Sequence, residues 1–480
     1  MNITLTLRIL GALLLFLAIA LLFPVPFSWF YGDGAAGAFI LSAIISAGCG
    51  GLLYSQFRSE TDLSVREGFA VVTFGWTFFA LFGALPFVFS GAIPSYLNAF
   101  FETMSGFTTT GSTILTDIEA MPPSLLLWRS LTQWLGGMGI IVLSLAILPM
   151  LGVGGMQLFK AEVPGPTADR LKPRIQDTAK LLWGVYVLLT TLETILLIFD
   201  DMTLHKTLCH SFATLATGGF SSRNASVGAY NSAYIDWVVT ILMFLAGVNF
   251  SLHYQALRGR LRNVHRNEEF RVYLGITLVA IVILVGFNFS TIYDSFADNL
   301  RYSAFQAVSI MTTTGFATAD YEGWPIIGQY LLVSLMFIGG CAGSTGGGMK
   351  VARILLLFKH AHVQLFRLIH PRAIRLVKLG NIPVDREVMQ AILGFFALFM
   401  GIFVFASFLM AASGMDLVSA GGSVIATLSN IGPGLGSVGP ADNYAHVSSF
   451  GKSVLMFCML LGRLELFTVL VLIFPTFWRK

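Results

Sequence analysis

Four short turns of threonine, asparagine and glycine recur along the chain. Aligned on one glycine in each turn, they are 108, 96 and 117 residues apart. Because glycine tolerates backbone dihedral angles that other residues resist, such turns can point successive carbonyl oxygens at one axis. Rings of carbonyl oxygens can replace the hydration shell of a cation. The residues that would supply these oxygens are Thr109, Thr110 and Gly111 in loop 1, Thr217, Gly218 and Gly219 in loop 2, Thr313, Thr314 and Gly315 in loop 3, and Asn430, Ile431 and Gly432 in loop 4.

A longer pattern surrounds each aligned glycine and indicates an internal repeat. Four residues before the glycine stands a bulky apolar residue, and six residues before it a small one. Nine residues before it stands a side chain that can form hydrogen bonds: Glu102, His210, Gln306 or Ser423. The alternative is that the four turns only reverse the chain, but four copies in register favour a shared role.

Each turn follows an apolar segment that is too short to cross a membrane and suits a half-helix. The partly negative C-terminal end of such a half-helix favours a nearby cation. Non-helical backbone at membrane depth persists only where protein buries it or water reaches it. The predicted half-helices are Leu97–Phe107, His205–Ala216, Leu300–Met311 and Leu417–Leu428.

The composition places most of the chain in a bilayer. Hydrophobic residues make up 55% of the 480 residues and charged residues only 11%, against about 25% in an average soluble domain. Soluble, disordered and coiled-coil proteins are therefore excluded. Ten long apolar stretches are predicted to span: Ile9–Phe23, Ala35–Phe57, Gly68–Phe89, Leu126–Leu151, Leu181–Phe199, Tyr234–Leu257, Val272–Phe289, Ile326–Phe358, Met389–Ala412 and Val454–Phe474.

These elements predict an all-α polytopic membrane protein with four repeats of span, pore helix and span, preceded by two extra N-terminal transmembrane helices. A cleaved signal peptide is the alternative for the first stretch. The predicted divisions are 1–67 for the extra helices, 68–180 for repeat 1, 181–271 for repeat 2, 272–386 for repeat 3 with its broken second helix and basic segment, and 387–480 for repeat 4.

Charge placement predicts the orientation. When the spans alternate, most of the 29 lysines and arginines fall on the side of both termini, which predicts cytoplasmic termini. The outer side, to which Arg129 is assigned, is net acidic. This acidity is either ordinary solvated loop charge or an entrance that concentrates cations.

The eighth stretch is interrupted by a glycine-rich segment that cannot hold a regular helix, because each glycine costs about 1 kcal/mol. The segment must line a cavity or be buried, although glycines can also serve close helix packing. Arg463 is interpreted as the only base inside a span, so it needs a partner, such as Glu193, or a water-filled cavity. The segment contains Gly339, Gly340, Gly343, Ser344, Thr345, Gly346, Gly347, Gly348 and Lys350.

Four sequence motifs in these turns resemble the pore loops of the Trk/Ktr/HKT potassium transporters: FTTTGST, ATGGFS, MTTTGFAT and SNIGPGLG. The resemblance covers the whole chain. The two extra helices resemble the membrane subunit of bacterial Trk-type uptake systems. The resemblance implies a pseudo-fourfold arrangement around a central pore, K⁺ bound at the loops and an inner-membrane location. It also implies that the glycine-rich segment is a gate and that Arg463 faces the pore. Gly111 implies selectivity for potassium over sodium.

The resemblance further implies a homodimer and a cytosolic nucleotide-binding ring as regulatory partner. We therefore expect no cofactor in this chain, with nucleotide only on the partner. Besides that ring, membrane lipid is the expected partner, and no nucleic acid is. The basic segment Lys350–Arg386 is the predicted docking site for the ring. No catalytic arrangement stands out, and the alternative function is a cation symporter that works by alternating access.

Overall fold

The computed structural model describes residues 1–57, 64–146, 171–200, 202–373 and 375–479. Residues 147–170, which include the end of the fourth apolar stretch, lie outside the described residues. The first part of the chain forms α1 Ile3–Leu21, α2 Val25–Tyr31, α3 Ala36–Gln56, α4 Val65–Gly83, α5 Leu85–Phe89, α6 Tyr96–Phe107, α7 Pro123–Ala146, α8 Leu171–Ile198, α9 Leu204–Leu215, α10 Ala233–Ala246, α11 Phe250–Leu257 and α12 Leu261–Arg266.

The second part continues with α13 Glu268–Asn288, α14 Phe296–Met311, α15 Ile326–Met336, α16 Val351–Ile369, β1 Lys378–Leu379, β2 Ile382–Pro383, α17 Arg386–Ala412, α18 Leu417–Leu428, α19 Ser449–Arg463, α20 Leu466–Leu470 and α21 Pro475–Trp478. The two strands pair antiparallel as a short hairpin. Among the described residues, six helical segments are long and apolar enough to cross a membrane. The prediction of a polytopic helical membrane protein is confirmed.

Two predicted continuous spans are broken in the structure. Between α10 and α11 the chain bends by 104°, and between α19 and α20 by 118°. The first bend begins at Gly247, which packs against the side chains of Tyr273 and Thr312. The second contains Glu465, whose φ of 61° cannot continue a helix. The predicted interruption of the eighth stretch is present, since α15 ends at Met336 and α16 begins at Val351.

The two N-terminal helices cross closely. A Cβ on Gly11 of α1 would lie 2.7 Å from the carbonyl oxygen of Gly50 in α3, and one on Gly50 would lie 2.8 Å from that of Gly11. Small residues at such crossings let helix backbones approach within a membrane. Asn2 caps α1, and its backbone N–H also donates to Glu67 at the start of α4, 2.6 Å away. The N-terminal pair is thus joined to repeat 1.

The four predicted half-helices are present as α6, α9, α14 and α18, which we call pore helices 1 to 4. The second span of each repeat packs against the pore helix of the next repeat: α7 against α9, α10 against α14, and α15 against α18. The ring closes because α19 of repeat 4 packs against α6 of repeat 1. This cyclic packing gives the pseudo-fourfold arrangement and brings the four turns to one centre.

Candidate ion pathway

Each pore helix ends in the same reversed turn. The residue two before each aligned glycine has a left-handed backbone: φ is 50° at Thr109, 52° at Thr217, 60° at Thr313 and 55° at Asn430. The next backbone N–H donates to a carbonyl in the last turn of the pore helix, as Thr110 N does to Ser105 O at 2.8 Å. The pattern is a Schellman C-cap, which usually has glycine at the left-handed position. Threonine there stores backbone strain, which persists at functional sites where the surrounding structure enforces it.

The aligned glycines also have positive φ: 87° at Gly111, 72° at Gly219, 79° at Gly315 and 101° at Gly432. A Cβ on each would lie under 3.0 Å from a carbonyl oxygen of the next loop. The contacts run in a closed cycle. They join Gly111 to Gly218 O, Gly219 to Thr314 O, Gly315 to Ile431 O, and Gly432 to Thr110 O. Both conformation and space therefore require glycine at these four places.

The carbonyl oxygens of the loops are available to an ion. Within the described ranges, no donor hydrogen-bonds the carbonyl oxygens of Thr109, Thr110, Thr217, Thr313, Thr314, Asn430 or Ile431. Buried backbone carbonyls are normally paired, so such a group of unpaired oxygens requires a ligand or water. All four aligned glycines line one cavity, together with polar outer-loop residues. We call this cavity the vestibule.

The side chains nine residues before the glycines form hydrogen bonds to the outgoing limbs of the loops, the residues that follow each aligned glycine. Glu102 accepts from Thr113 Oγ1 at 2.9 Å and from Ile114 N at 2.9 Å. His210 Nε2 lies 3.1 Å from Ser221 Oγ, and Gln306 Nε2 donates to Ala319 O at 3.1 Å. Ser423 of repeat 4 instead donates within its own helix. The repeated hydrogen-bonding position seen in the sequence is therefore structural support in three of the four loops.

Arg129 joins loops 1 and 2 and lines the vestibule. It lies within α7 and is buried. Its Nε donates to Glu102 at 2.5 Å, and its Nη1 donates to Ser221 O at 2.8 Å. Its guanidinium also sits 3.7 Å from the ring centroid of Phe220. Arg463 is consequently not the only base inside a predicted span. An arginine in an apolar run, 27 residues after a glutamate at the repeated position, was the available signal for this pair.

The outer loops carry an ordered polar network beside the vestibule. The Asn224 amide donates to Asp117 at 3.0 Å and accepts from Ile118 N at 2.7 Å. The hydrogen bond from Asn224 lowers the pKa of the Asp117 carboxyl. Glu119 pairs with Arg223 at 2.7 Å. The acidic residues nearest loop 1 therefore tie repeats 1 and 2 together and keep a negative charge near the vestibule.

The glycine-rich segment, here called the inner loop and spanning Gly339–Lys350, lies against the pore-helix ends. Gly347 N donates to Thr313 Oγ1 at 2.6 Å, and a Cβ on Gly346 would lie 3.0 Å from Thr312 O. Thr345 Oγ1 donates to Leu215 O at 2.9 Å. These contacts are to residues before the aligned glycines, whereas the vestibule is lined by the glycines and the residues after them. The inner loop thus lies on the opposite side of the turns from the vestibule.

Hydrogen bonds close the base of the inner loop and attach it to neighbouring helices. Gly339 N donates to Met349 O at 2.8 Å, and Val351 N to Gly340 O at 3.2 Å. The buried Glu269 carboxylate, at the start of α13, accepts from Ala342 N at 2.7 Å and from Ala352 N at 3.1 Å. The Lys350 ammonium donates to Gly346 O across the loop. Sequence reasoning missed Glu269, since nothing in its position on the chain points to a loop more than 70 residues away.

Arg463 reaches the inner loop directly. It is buried, with Nη1 donating to Thr345 O at 2.6 Å and Nη2 to Gly136 O at 3.2 Å. The alternative pairing with Glu193 is wrong, because the Glu193 carboxylate oxygens have no hydrogen-bond partner among the described residues. Glu465 pairs instead with Arg353 of α16. In the described part of the chain the buried guanidinium is bound to carbonyl oxygens and to no carboxylate, so its positive charge stays uncompensated beside the inner loop.

Comparisons with known proteins agree with this architecture. A family model described as a cation transport protein, TrkH, matches residues 36–480. The Trk system potassium uptake protein TrkH of Salmonella typhimurium is 46% identical, covering 98% of this chain and 99% of that protein. The Trk system potassium uptake protein TrkG of Escherichia coli is 33% identical, covering 98% and 97%. The crystal structure of the potassium transporter TrkH from Vibrio parahaemolyticus matches with a TM-score of 0.92 and 38% identity over 100% of both chains. The chain therefore belongs to the TrkH family, whose members are multi-pass membrane transporters and not enzymes.

Proposed function

We propose that this protein takes up potassium through a selectivity filter formed by the four loops. The closed cycle of contacts between each aligned glycine and the next loop's carbonyl is the observation that carries the proposal. Four repeats in a ring present their carbonyl oxygens to one axis, as coordination of a dehydrated cation requires. The names of the relatives support potassium as the ion. Gly111 at the first loop supports selectivity against sodium.

The membrane potential supplies the driving force in this proposal. Moving one charge is worth about 2.3 kcal/mol per 100 mV, so about 150 mV provides ~3.5 kcal/mol. That free energy sustains a gradient of roughly several hundred-fold without hydrolysis by this chain. The ring of four parallel loops favours a channel-like pore over a symporter that alternates access between two sides.

The inner loop and Arg463 form the gate in this proposal. The inner loop contacts the ends of pore helices 2 and 3 on the side away from the vestibule, where an ion leaving the filter would pass. The Arg463 guanidinium holds Thr345 O and places a positive charge at that level. This charge repels a resting cation and helps to empty the cavity below the filter. Opening requires the inner loop to move.

Regulation in this proposal comes from a cytosolic nucleotide-binding ring, with the transporter as a homodimer in the bacterial inner membrane and both termini cytoplasmic. The basic segment continues directly from the inner loop through α16. Glu268 accepts from Lys359 of α16 at 2.6 Å and from Gly380 N in the hairpin at 2.6 Å. Its neighbour Glu269 holds the inner loop. A partner that moves this segment would therefore pull on the gate.

Charge reversal at Arg367, Arg372 and Arg375 tests the docking site. All three side chains are exposed and lie away from the inner loop. We expect the variant to lose co-purification with the ring and nucleotide-dependent flux while basal flux is unchanged. Full binding and full nucleotide response would instead assign the segment to topology and lipid contact alone.

The proposed function is tested by rubidium uptake in bacterial cells that lack their own potassium uptake systems and carry the regulatory partner. Uptake should appear with the wild-type chain and should be inhibited by excess K⁺ but weakly by excess Na⁺. The control is the same cells without the chain. Normal amounts of protein in the membrane without any uptake would contradict the proposal.

A further inference from the structure

Loop 2 departs from the other loops at the residue before its aligned glycine. Gly218 stands there, whereas loops 1, 3 and 4 have Thr110, Thr314 and Ile431. Unlike the aligned glycines, Gly218 does not have a positive φ. Its backbone conformation is therefore open to residues with side chains, and the reason for glycine must be space.

The space at Gly218 is filled by the Gln133 side chain of α7. A Cβ on Gly218 would lie 2.6 Å from Gln133 Oε1 and 2.7 Å from Nε2. The amide cannot move aside freely, because both of its ends are bonded to loop 2. Nε2 donates to Gly218 O at 2.5 Å, and Oε1 accepts from Phe220 N at 3.1 Å. Gln133 is fully buried, so water does not compete for these bonds.

The bonded carbonyl belongs to the cycle of contacts between the loops. Gly218 O is the oxygen against which Gly111 of loop 1 packs. Gln133 thus holds one filter oxygen from behind, and it holds the outgoing limb of the same loop through Phe220. Arg129, four residues earlier on the same face of α7, holds Ser221 O of that limb. Loop 2 is positioned by side chains from repeat 1 on both sides of its aligned glycine.

Repeat 4 uses an apolar residue at the equivalent position. Gly136 of α7 and Gly462 of α19 occupy equivalent positions in their repeats. A Cβ on Gly136 would overlap Phe107 O, and one on Gly462 would overlap Leu428 O; each oxygen belongs to the last residue of a pore helix. Three residues before them stand Gln133 and Met459 respectively. Repeat 4 therefore packs at this position without the polar contact that Gln133 makes between repeats 1 and 2.

We infer that Gln133 is a specificity-determining residue that positions the loop 2 carbonyl without touching the ion, and that Gly218 is glycine in order to admit it. The inference rests on the proposed filter and deepens it. When the two hydrogen bonds are removed, Gly218 O is free to follow a smaller ion, and the energetic difference between K⁺ and Na⁺ at that level shrinks. The effect concerns selectivity more than the amount of folded protein.

The test compares four variants in proteoliposomes, with the K⁺ to Na⁺ flux ratio as readout. Gln133→Met keeps the volume and removes both bonds, and Gly218→Ala displaces the amide. We expect each to lower the ratio by about fivefold or more, since two buried hydrogen bonds are lost. In Gln133→Ala the added methyl of Gly218→Ala finds room, so the double variant should be no worse than Gln133→Ala alone. Such non-additivity is the signature of a direct contact.

Gln329→Met is the matched control, because the Gln329 amide also makes two hydrogen bonds to the backbone, donating to Glu322 O at 2.6 Å and to Trp324 O at 3.0 Å, outside the four turns. Its flux ratio should equal that of the wild type. If Gln133→Ala fails to fold, Gln133→Met alone decides the question. A ratio that stays unchanged or rises in Gln133→Met overturns the inference. If Gly111→Ser in the same assay does change the ratio, the filter itself still stands.

Discussion

Substitution of Gly111 by serine perturbs the proposed filter at a single defined contact. Two costs add there. The backbone, at a φ of 87°, lies where an L-residue costs about 1–2 kcal/mol. The new Cβ would also lie under 3.0 Å from Gly218 O, whereas ordinary contacts begin at 3.4 Å, so that oxygen must retreat by about one ångström. We expect the K⁺ to Na⁺ flux ratio to fall about tenfold, which corresponds to ~1.4 kcal/mol of lost discrimination.

The assay is cation flux into proteoliposomes of purified protein, with the two ions measured in parallel. Gly91→Ser is the matched control, since Gly91 has a φ of 74° but nothing within 4 Å of its Cβ position. This variant carries the backbone cost without the contact, so it should lose stability and keep its ion selectivity. Equal ratios in Gly111→Ser and wild type would refute the assignment of loop 1. A similar fall in both serine variants would attribute the effect to general instability.

Three further predictions concern the gate and the supports of the filter. Deletion of Gly346–Gly348 from the inner loop should raise basal flux of correctly folded protein, and a fall would mean that the loop only packs. Glu269→Gln weakens the acceptor for Ala342 N and Ala352 N by about 1–3 kcal/mol, so basal flux should rise with the ion ratio unchanged. A lower ion ratio at unchanged basal flux would place Glu269 with the filter instead. Glu102→Met leaves Arg129 buried without its partner, which should cost about 3–5 kcal/mol of stability, seen as a lower unfolding temperature in detergent. Adding Arg129→Met should recover stability but not ion selectivity, and recovery of both would make the pair purely structural.

The sequence predicts the four turns because their requirements are local. Each turn has a residue with a left-handed backbone and, two positions later, a glycine with positive φ. This glycine recurs in the sequence as Gly111, Gly219, Gly315 and Gly432. The pore helices are predictable for the same reason, since their lengths are read directly from apolar runs. The fourth, Leu417–Leu428, has the predicted bounds.

The breaks at Gly247 and Glu465 are not predictable in this way. Both lie in runs apolar enough for a continuous span, and the bends become favourable only when the pore helices and the inner loop supply partners. Cys341 N donates to Gly247 O at 2.8 Å, and Arg353 pairs with Glu465. Gln133 and Glu269 were missed likewise, because their partners are distant in the chain. The sequence does show that Gly218 differs from Thr110, Thr314 and Ile431 of the other loops. The reason for this glycine, its contact with Gln133, is visible only in the structure.

We propose that four loops from one chain form a potassium-selective pore. The most direct measurement is flux through purified protein in liposomes under an imposed, inside-negative potential, with K⁺ and Na⁺ compared and the proton gradient collapsed. We predict K⁺ influx that follows the potential, exceeds Na⁺ influx and needs no proton gradient. Equal influx of the two ions, or K⁺ influx only when a proton or sodium gradient is present, would contradict it.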